Sequence, residues 1–279
     1  MRKTILIIVI LLFHHTMYCI DLHRVIGGRS AAMGRTGCCD RNPWSLQNNP
    51  AGIASLQGWQ FGLYYENQWL LKETAFKSGI AIKTLPNIGT LGLLVNQFGA
   101  SDHSESLFGL AYARAFGPYL QIGLRADYYL FHWGDAYPHR GALGFMLGLQ
   151  SQLTERLRVG ACLAHPVQRL KTLHEDRLPI VMRFGITYCF TKDFIGQCEI
   201  EHDNSREGVK LKAGLEYEIL HRFRIRAGAQ HNPNLLSFGV GYMLKGIEMD
   251  VAAEVHALLG PAIHVGFCFE LRGRPKNRG

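Results

Sequence analysis

Past residue 20 the chain has no run of about 18 consecutive apolar residues, so no helix beyond that point can cross a bilayer. It has no Pro/Ser/Gly-rich linker either, and its 279 residues read as one folded body. CxxC and Cys/His metal spacings are missing, which removes the usual zinc sites, and no metal or cofactor is expected. The chain contains neither a G-x-S-x-G nucleophile elbow nor a His-x-Ser pair. His103 with Ser104, His165, His174, His202 with Ser205, and His231 with Ser237 are the remaining Ser/His candidates, and they read as solvated or interfacial residues. Gly27 and Gly28 precede no helix of the kind that cradles phosphate. Catalysis is not expected.

What is present begins with an export signal. Arg2 and Lys3 precede the apolar run Ile5 to Phe13, which is too short for a membrane span and suits a signal peptide over residues 1–20. The net charge of +8 is unevenly placed. Arg2 and Lys3 leave with the signal, and Arg272, Arg274, Lys276 and Arg278 crowd the C-terminus, so the body is nearer neutral. An exported protein rarely meets nucleic acid, and residues 273–279 read as a solvated basic tail. Seven cysteines occur in a chain bound for an oxidising compartment. Most read as small packing residues, while pairing of Cys38 or Cys39 with another cysteine stays open.

From Trp59 onward the pattern has period two. Val209, Leu211, Ala213, Leu215, Tyr217 and Ile219 share one face, with Lys210, Lys212, Gly214, Glu216 and Glu218 on the other. The split recurs in Phe223–Gly228, Leu143–Gln150, Ile247–His256 and Ile263–Leu271. Turn signals divide residues 59–272 into about 14 strands, although 12 also fits because Ile195 to His202 alternates poorly. A soluble sandwich of so many strands would need two cores and a linker. The expected fold is therefore all-β, a transmembrane antiparallel barrel with its apolar face outward. Trp59, Trp69, Tyr119, Phe131, Trp133, Tyr188 and Phe190 lie near strand ends, as interfacial girdles do.

The other face must then line the lumen. Arg125, Asp127, Arg158, Arg183, Lys210, Lys212, Glu216, Arg224, Arg226, Glu248, Asp250 and Glu254 are expected there, forming a charge network. The carboxylate pairs Glu216 with Glu218 and Glu248 with Asp250 have basic residues on neighbouring strands, which favours ion pairing over acid/base catalysis. Glycines spread through the strands are assigned to barrel curvature.

Two N-terminal segments carry a resemblance: Val25-Ile-Gly-Gly-Arg-Ser-Ala-Ala-Met-Gly34 and Asn48-Asn-Pro-Ala-Gly-Ile-Ala-Ser-Leu56. In order and spacing they resemble the start of the mature chain in FadL-like outer-membrane barrels, and in compactness the PorV/PorQ relatives tied to type IX secretion. Phe108 to Phe116 and Asn232 to Gly239 also look like pieces of such barrels. The resemblance implies that residues 21–58 form a plug, with Gly28, Arg29, Met33, Gly34, Asn49, Pro50 and Gly52 as its motif. Arg29, Arg35, Asp40 and Arg41 would then face the lumen charges. It implies a non-enzymatic barrel in the bacterial outer membrane, in contact with lipid, lipopolysaccharide and protein-secretion components. The alternative it carries is a FadL-like plugged channel for uptake of small hydrophobic compounds, although the inward face is more polar than such a conduit suggests.

Overall fold

A computed structural model describes residues 22–100, 103–134, 139–165 and 178–271. The proposed signal peptide, the basic tail and His174 lie outside the described residues. Fourteen strands follow one another around a closed antiparallel barrel, each paired with its neighbours in sequence. They are β1 Trp59–Gln68, β2 Ala75–Leu85, β3 Gly89–Ala100, β4 His103–Phe116, β5 Leu120–His132, β6 Arg140–Gln152 and β7 Leu157–Ala164. The second half comprises β8 Val181–Cys189, β9 Phe194–Asp203, β10 Val209–Leu220, β11 Phe223–His231, β12 Leu235–Leu244, β13 Ile247–His256 and β14 Gly260–Leu271. Pairing of β1 with β14, from Trp59 opposite Leu271 to Gln68 opposite Ala262, closes the wall and leaves no edge strand.

Alternation decides which side of the wall each residue occupies. Leu63, Leu93, Leu110, Leu147, Leu215 and Val251 are among the large apolar side chains exposed on the outside. Water would not tolerate so continuous an apolar exterior, whereas hydrocarbon does. Ile195 to His202, the least regular stretch in sequence, is an ordinary strand: Gln197, Glu199, Glu201 and Asp203 are buried while Cys198, Ile200 and His202 are exposed. Two of the girdle aromatics are corrected. Phe131 shares the inward parity of Arg125, Asp127 and Tyr129, is only 7% exposed, and packs with Trp133 in the interior cluster.

Residues 22–58 fill the interior. The segment contains helix α1 (Gly28–Ala32), helix α2 (Ser45–Asn48) and a 3-10 turn (Pro50–Ser55). Gly27 and Gly28 do precede a helix, but α1 is five residues long and a side chain at Gly28 would collide with Asp250. Asn48 ties the segment to itself, its side chain accepting from Ile26 N and donating to Ile26 O, both at 2.9 Å. The two ends of the barrel differ. Short turns such as 221–222 and 245–246 lie at the end where β1 begins, and the longer connections, of which 69–74, 133–134, 165 and 178–180 are described, lie at the other.

Candidate functional site: the filled lumen and its two cavities

Close approach of the inserted backbone to the wall requires wall residues without side chains. Three cross-strand glycine pairs provide this: Gly123 with Gly148, Gly160 with Gly185, and Gly214 with Gly228. A Cβ at Gly123 would fall 2.4 Å from Ala51 N, one at Gly160 2.4 Å from Cys38 O, and one at Gly228 2.0 Å from Gly34 N. These glycines are seats for the segment, a role that period-two reading misses when it assigns them to curvature.

Charge fixes the segment on one side. Arg29 donates two hydrogen bonds to Glu216, at 2.9 and 3.0 Å, and a third to Asp40. Burial alone would lower its pKa, but Asp40 and Glu216 hold it above the ordinary arginine value. Asp40 also accepts from Ser30 Oγ at 2.9 Å and Gln197 Nε2 at 2.8 Å. Arg35 reaches Glu254 at 2.7 Å and Glu66 at 2.9 Å, and Arg24 joins Glu66 at 2.9 Å. The Glu199 carboxylate accepts from the backbone N–H groups of Gly37 and Cys38, both at 2.8 Å. Gly34 N donates to Ser237 Oγ at 2.9 Å.

Behind these contacts the wall charges neutralise one another. Glu216 faces Arg226 and Glu218 faces Arg224 in register across β10 and β11. Arg226 also meets Asp250, and Arg224 bonds Glu248 at 2.9 Å. Lys210 and Lys212 turn to β9 instead, where Lys212 bridges Glu199 at 2.8 Å and Glu201 at 2.7 Å. Arg183 completes that cluster on Glu201 at 2.8 Å. Arg125 pairs with Asp127 at 2.7 Å and donates to Leu46 O, also at 2.7 Å, at the end of α2. Arg41 stays out of the network. Its Nε and Nη2 find no partner among the described residues, and burial, reinforced by Arg158, lowers its pKa to about 10.

The proposed plug motif is spread along these contacts. Gly28 opens α1 against Asp250, Met33 lies over Gly214, and Gly34 takes φ +68° between strand carbonyls. Asn49 donates to Cys38 O at 2.7 Å and Leu149 O at 3.1 Å, Pro50 lies over Gly123, and Gly52 passes Asp40 where a Cβ would be 2.2 Å from its carbonyl oxygen.

Among the described residues, a cavity opens at each end of the lumen. One of about 450 Å³ opens among the longer connections; His23, Arg24 and Val25 border it together with Phe98, Arg183 and Glu254. Beside it His23 meets His165 through their Nε2 atoms, and Tyr129 Oη contacts His23 at 2.5 Å and His165 at 3.3 Å. Burial, then His165 and two arginines, pushes His23 well below the ordinary histidine range, and burial with Arg125 brings His165 to about 3. The second cavity, about 380 Å³, lies at the short-turn end between Arg41, Gln57, Gln60, Glu248 and Glu270. The buried Ile26, Met33, Leu46 and Ile53 belong to the stretch of segment between them.

Sequence reading did not single out Glu66, Glu199, Glu201, His23 or Tyr129. The i, i+2 spacing of Glu199 and Glu201 was a usable signal; no pattern marked Glu66. Among the described residues the Ser/His candidates are not assembled into a triad. His103 lies 3.7 Å from Glu105, Ser205 bonds Asp203, and Ser237 holds the inserted segment.

No family model matches the chain, and no curated protein matches it by sequence. Solved structures do match. A channel described as the CymD monoaromatic hydrocarbon channel aligns with TM-score 0.67 at 14% identity, over 91% of this chain and 99% of that one. The fold is that of the FadL-like outer-membrane barrels. The Ralstonia pickettii toluene transporter TbuX aligns at 0.63 and 14% identity, covering 89% of this chain and 97% of its own. A Pseudomonas aeruginosa FadL homologue gives 0.60 at 12%, with 88% and 98% covered. A closed 14-strand barrel with this apolar exterior fits a bacterial outer-membrane location. The first of these is described as a hydrocarbon channel and the second as a toluene transporter.

Proposed function

We propose that the chain is a plugged outer-membrane channel for small, largely hydrophobic compounds, with the outer cavity as the first holding site. The observation that carries this is the position of His23, Arg24 and Val25, which places the leading end of the inserted segment against a cavity of about 450 Å³, enough for a compound of one or two rings. A compound bound there touches the segment that fills the lumen. The charged groups lining the cavity have ion-pair partners, Arg183 with Glu201 and Arg35 with Glu254 among them, but six Lys or Arg line it against three Asp or Glu, so it presents hydrogen-bonding capacity with a cationic excess. A ring carrying one polar group suits that lining better than a bare hydrocarbon.

The structural matches support transport over the secretion-linked reading, a PorV/PorQ-like barrel serving type IX export. Membrane lipid against the apolar exterior belongs to the same proposal. The test is saturable binding of benzyl alcohol to the detergent-solubilised barrel, followed by ligand-observed NMR, in the wild type and in Val25→Arg. Saturation in the wild type and its loss in the variant support the reading. No saturation in the wild type, combined with a stoichiometric protein partner recovered from membranes, overturns it in favour of a partner-binding barrel.

A further inference from the structure

The transport reading makes no use of the buried cysteines. Cys38 belongs to the inserted segment and Cys162 to β7, and they are 0% and 6% exposed. The Gly160 and Gly185 seat holds Cys38 against the wall: a Cβ at Gly185 would lie 3.0 Å from Cys38 Cβ. Cys162 stands two residues from Gly160 on the same inward face, opposite Arg183. The Cys38 thiol points along the wall in that direction, since its Sγ is 3.8 Å from Arg183 O. The same corner of the inserted segment touches both sulfurs: Cys162 Sγ donates to Asn48 O at 3.5 Å, and Asn49 Nδ2 donates to Cys38 Sγ at 3.7 Å. Both cysteines sit in one buried cluster with Met146, Ala164 and Val181. Cys39 lies over the same seat, its Sγ 3.1 Å from where a Cβ at Gly160 would stand and 4.0 Å from Arg158 O, but it is not part of that cluster.

We propose that Cys38 and Cys162 are a redox-modification site whose disulfide fastens the middle of the inserted segment to β7. Both thiols are free in this structure, which is the reduced state. The oxidant is a small or protein disulfide of the exported compartment. One cysteine thiolate attacks a sulfur of that disulfide, releasing a thiolate and leaving a mixed disulfide. The second cysteine gives up its proton to water and displaces the remaining donor sulfur. Two electrons pass to the donor, which departs as two thiols, and one S–S bond joins segment to wall. Burial shields both sulfurs once the segment is seated, so exchange takes place as the segment enters or leaves and the finished bond is protected from reductant. The bond pins the segment near Gly160 and leaves His23 to Val25, beside the outer cavity, free to respond to a ligand.

The test uses the full barrel in detergent, exposed to oxidised glutathione during refolding, then unfolded with N-ethylmaleimide, digested and analysed by mass spectrometry. The expected product is a linked pair of peptides carrying Cys38 and Cys162, retained in Cys39→Ala and abolished in Cys162→Ala. Full alkylation of both residues in the wild type, or a Cys38–Cys39 link in its place, overturns the proposal. The wild-type result decides even if a variant fails to fold. Because the readout involves no transported compound, it stands apart from the outcome of the binding test.

Discussion

The two sides of the lumen hold the same segment by different physics. Toward β1 to β6, Leu22, Ile26, Trp44, Leu46 and Ile53 pack into a cluster with Phe76, Ile82, Leu94 and Leu107. Toward β9 to β14, contact runs mainly through Arg29, Arg35, the Glu199 carboxylate and Ser237. Apolar packing is non-directional and is lost outright when water enters. Ion pairs are directional, yet their partners regain hydration when they part. The charged side thus sets where the segment sits, and the apolar side resists its leaving. A segment that shifts during transport should release its charged contacts to water first and pivot on the apolar cluster.

That contrast yields graded expectations. The largest effect should come from Arg35→Met, which leaves Glu254 without its arginine and Glu66 with Arg24 as its one remaining arginine; urea-induced release of the segment, followed by Trp44 fluorescence, should become easier by about 3–5 kcal/mol. Leu46→Ala, on the apolar side, should cost about 2–4 kcal/mol in the same measurement. The double variant should be additive within about 0.5 kcal/mol if the two sides act independently. A strong coupling term would show that they form one unit. Gly228→Ala should cost about 1–3 kcal/mol by pressing on Gly34, and protease should reach Arg35 in the variant before it does in the wild type.

The smallest effect concerns acid. His23 and His165 are held below the ordinary histidine pKa, so the released segment binds more protons than the seated one. Their contribution is complete above about pH 6.5 and declines as pH falls from there toward 3. Protection of the Arg24 and Val25 amides, after correction for the slower intrinsic exchange at low pH, should fall between about pH 6.5 and 5, a window above the ordinary carboxylate range. A flat profile would remove the histidines from the account.

Much of the wall was legible because alternation is a local signal. Leu211 and Leu215 outward with Lys212 and Glu216 inward follow from parity alone, and so do the pairs Glu216 with Arg226 and Glu218 with Arg224 once consecutive strands form hairpins. Lys212 bonding Glu199 was not legible, because β9 begins irregularly at Phe194 and its phase is set only by its neighbours. Phe131 and Trp133 were misplaced because position near a strand end says nothing about side. Within the candidate site, Arg29 and Arg35 were foreseeable as charges seeking partners. His23 meeting His165 was not, since it depends on how far the segment reaches into the barrel.

The three glycine pairs also bear on how such a chain changes over time. They amount to a footprint of the segment written into strands far away in sequence, so each part constrains what the other can become. A side chain at Gly34 has no space unless the wall yields, and one added at Gly123 or Gly228 displaces the segment. Exchange of the N-terminal segment between two barrels of this fold should therefore succeed only when the matching wall positions travel with it.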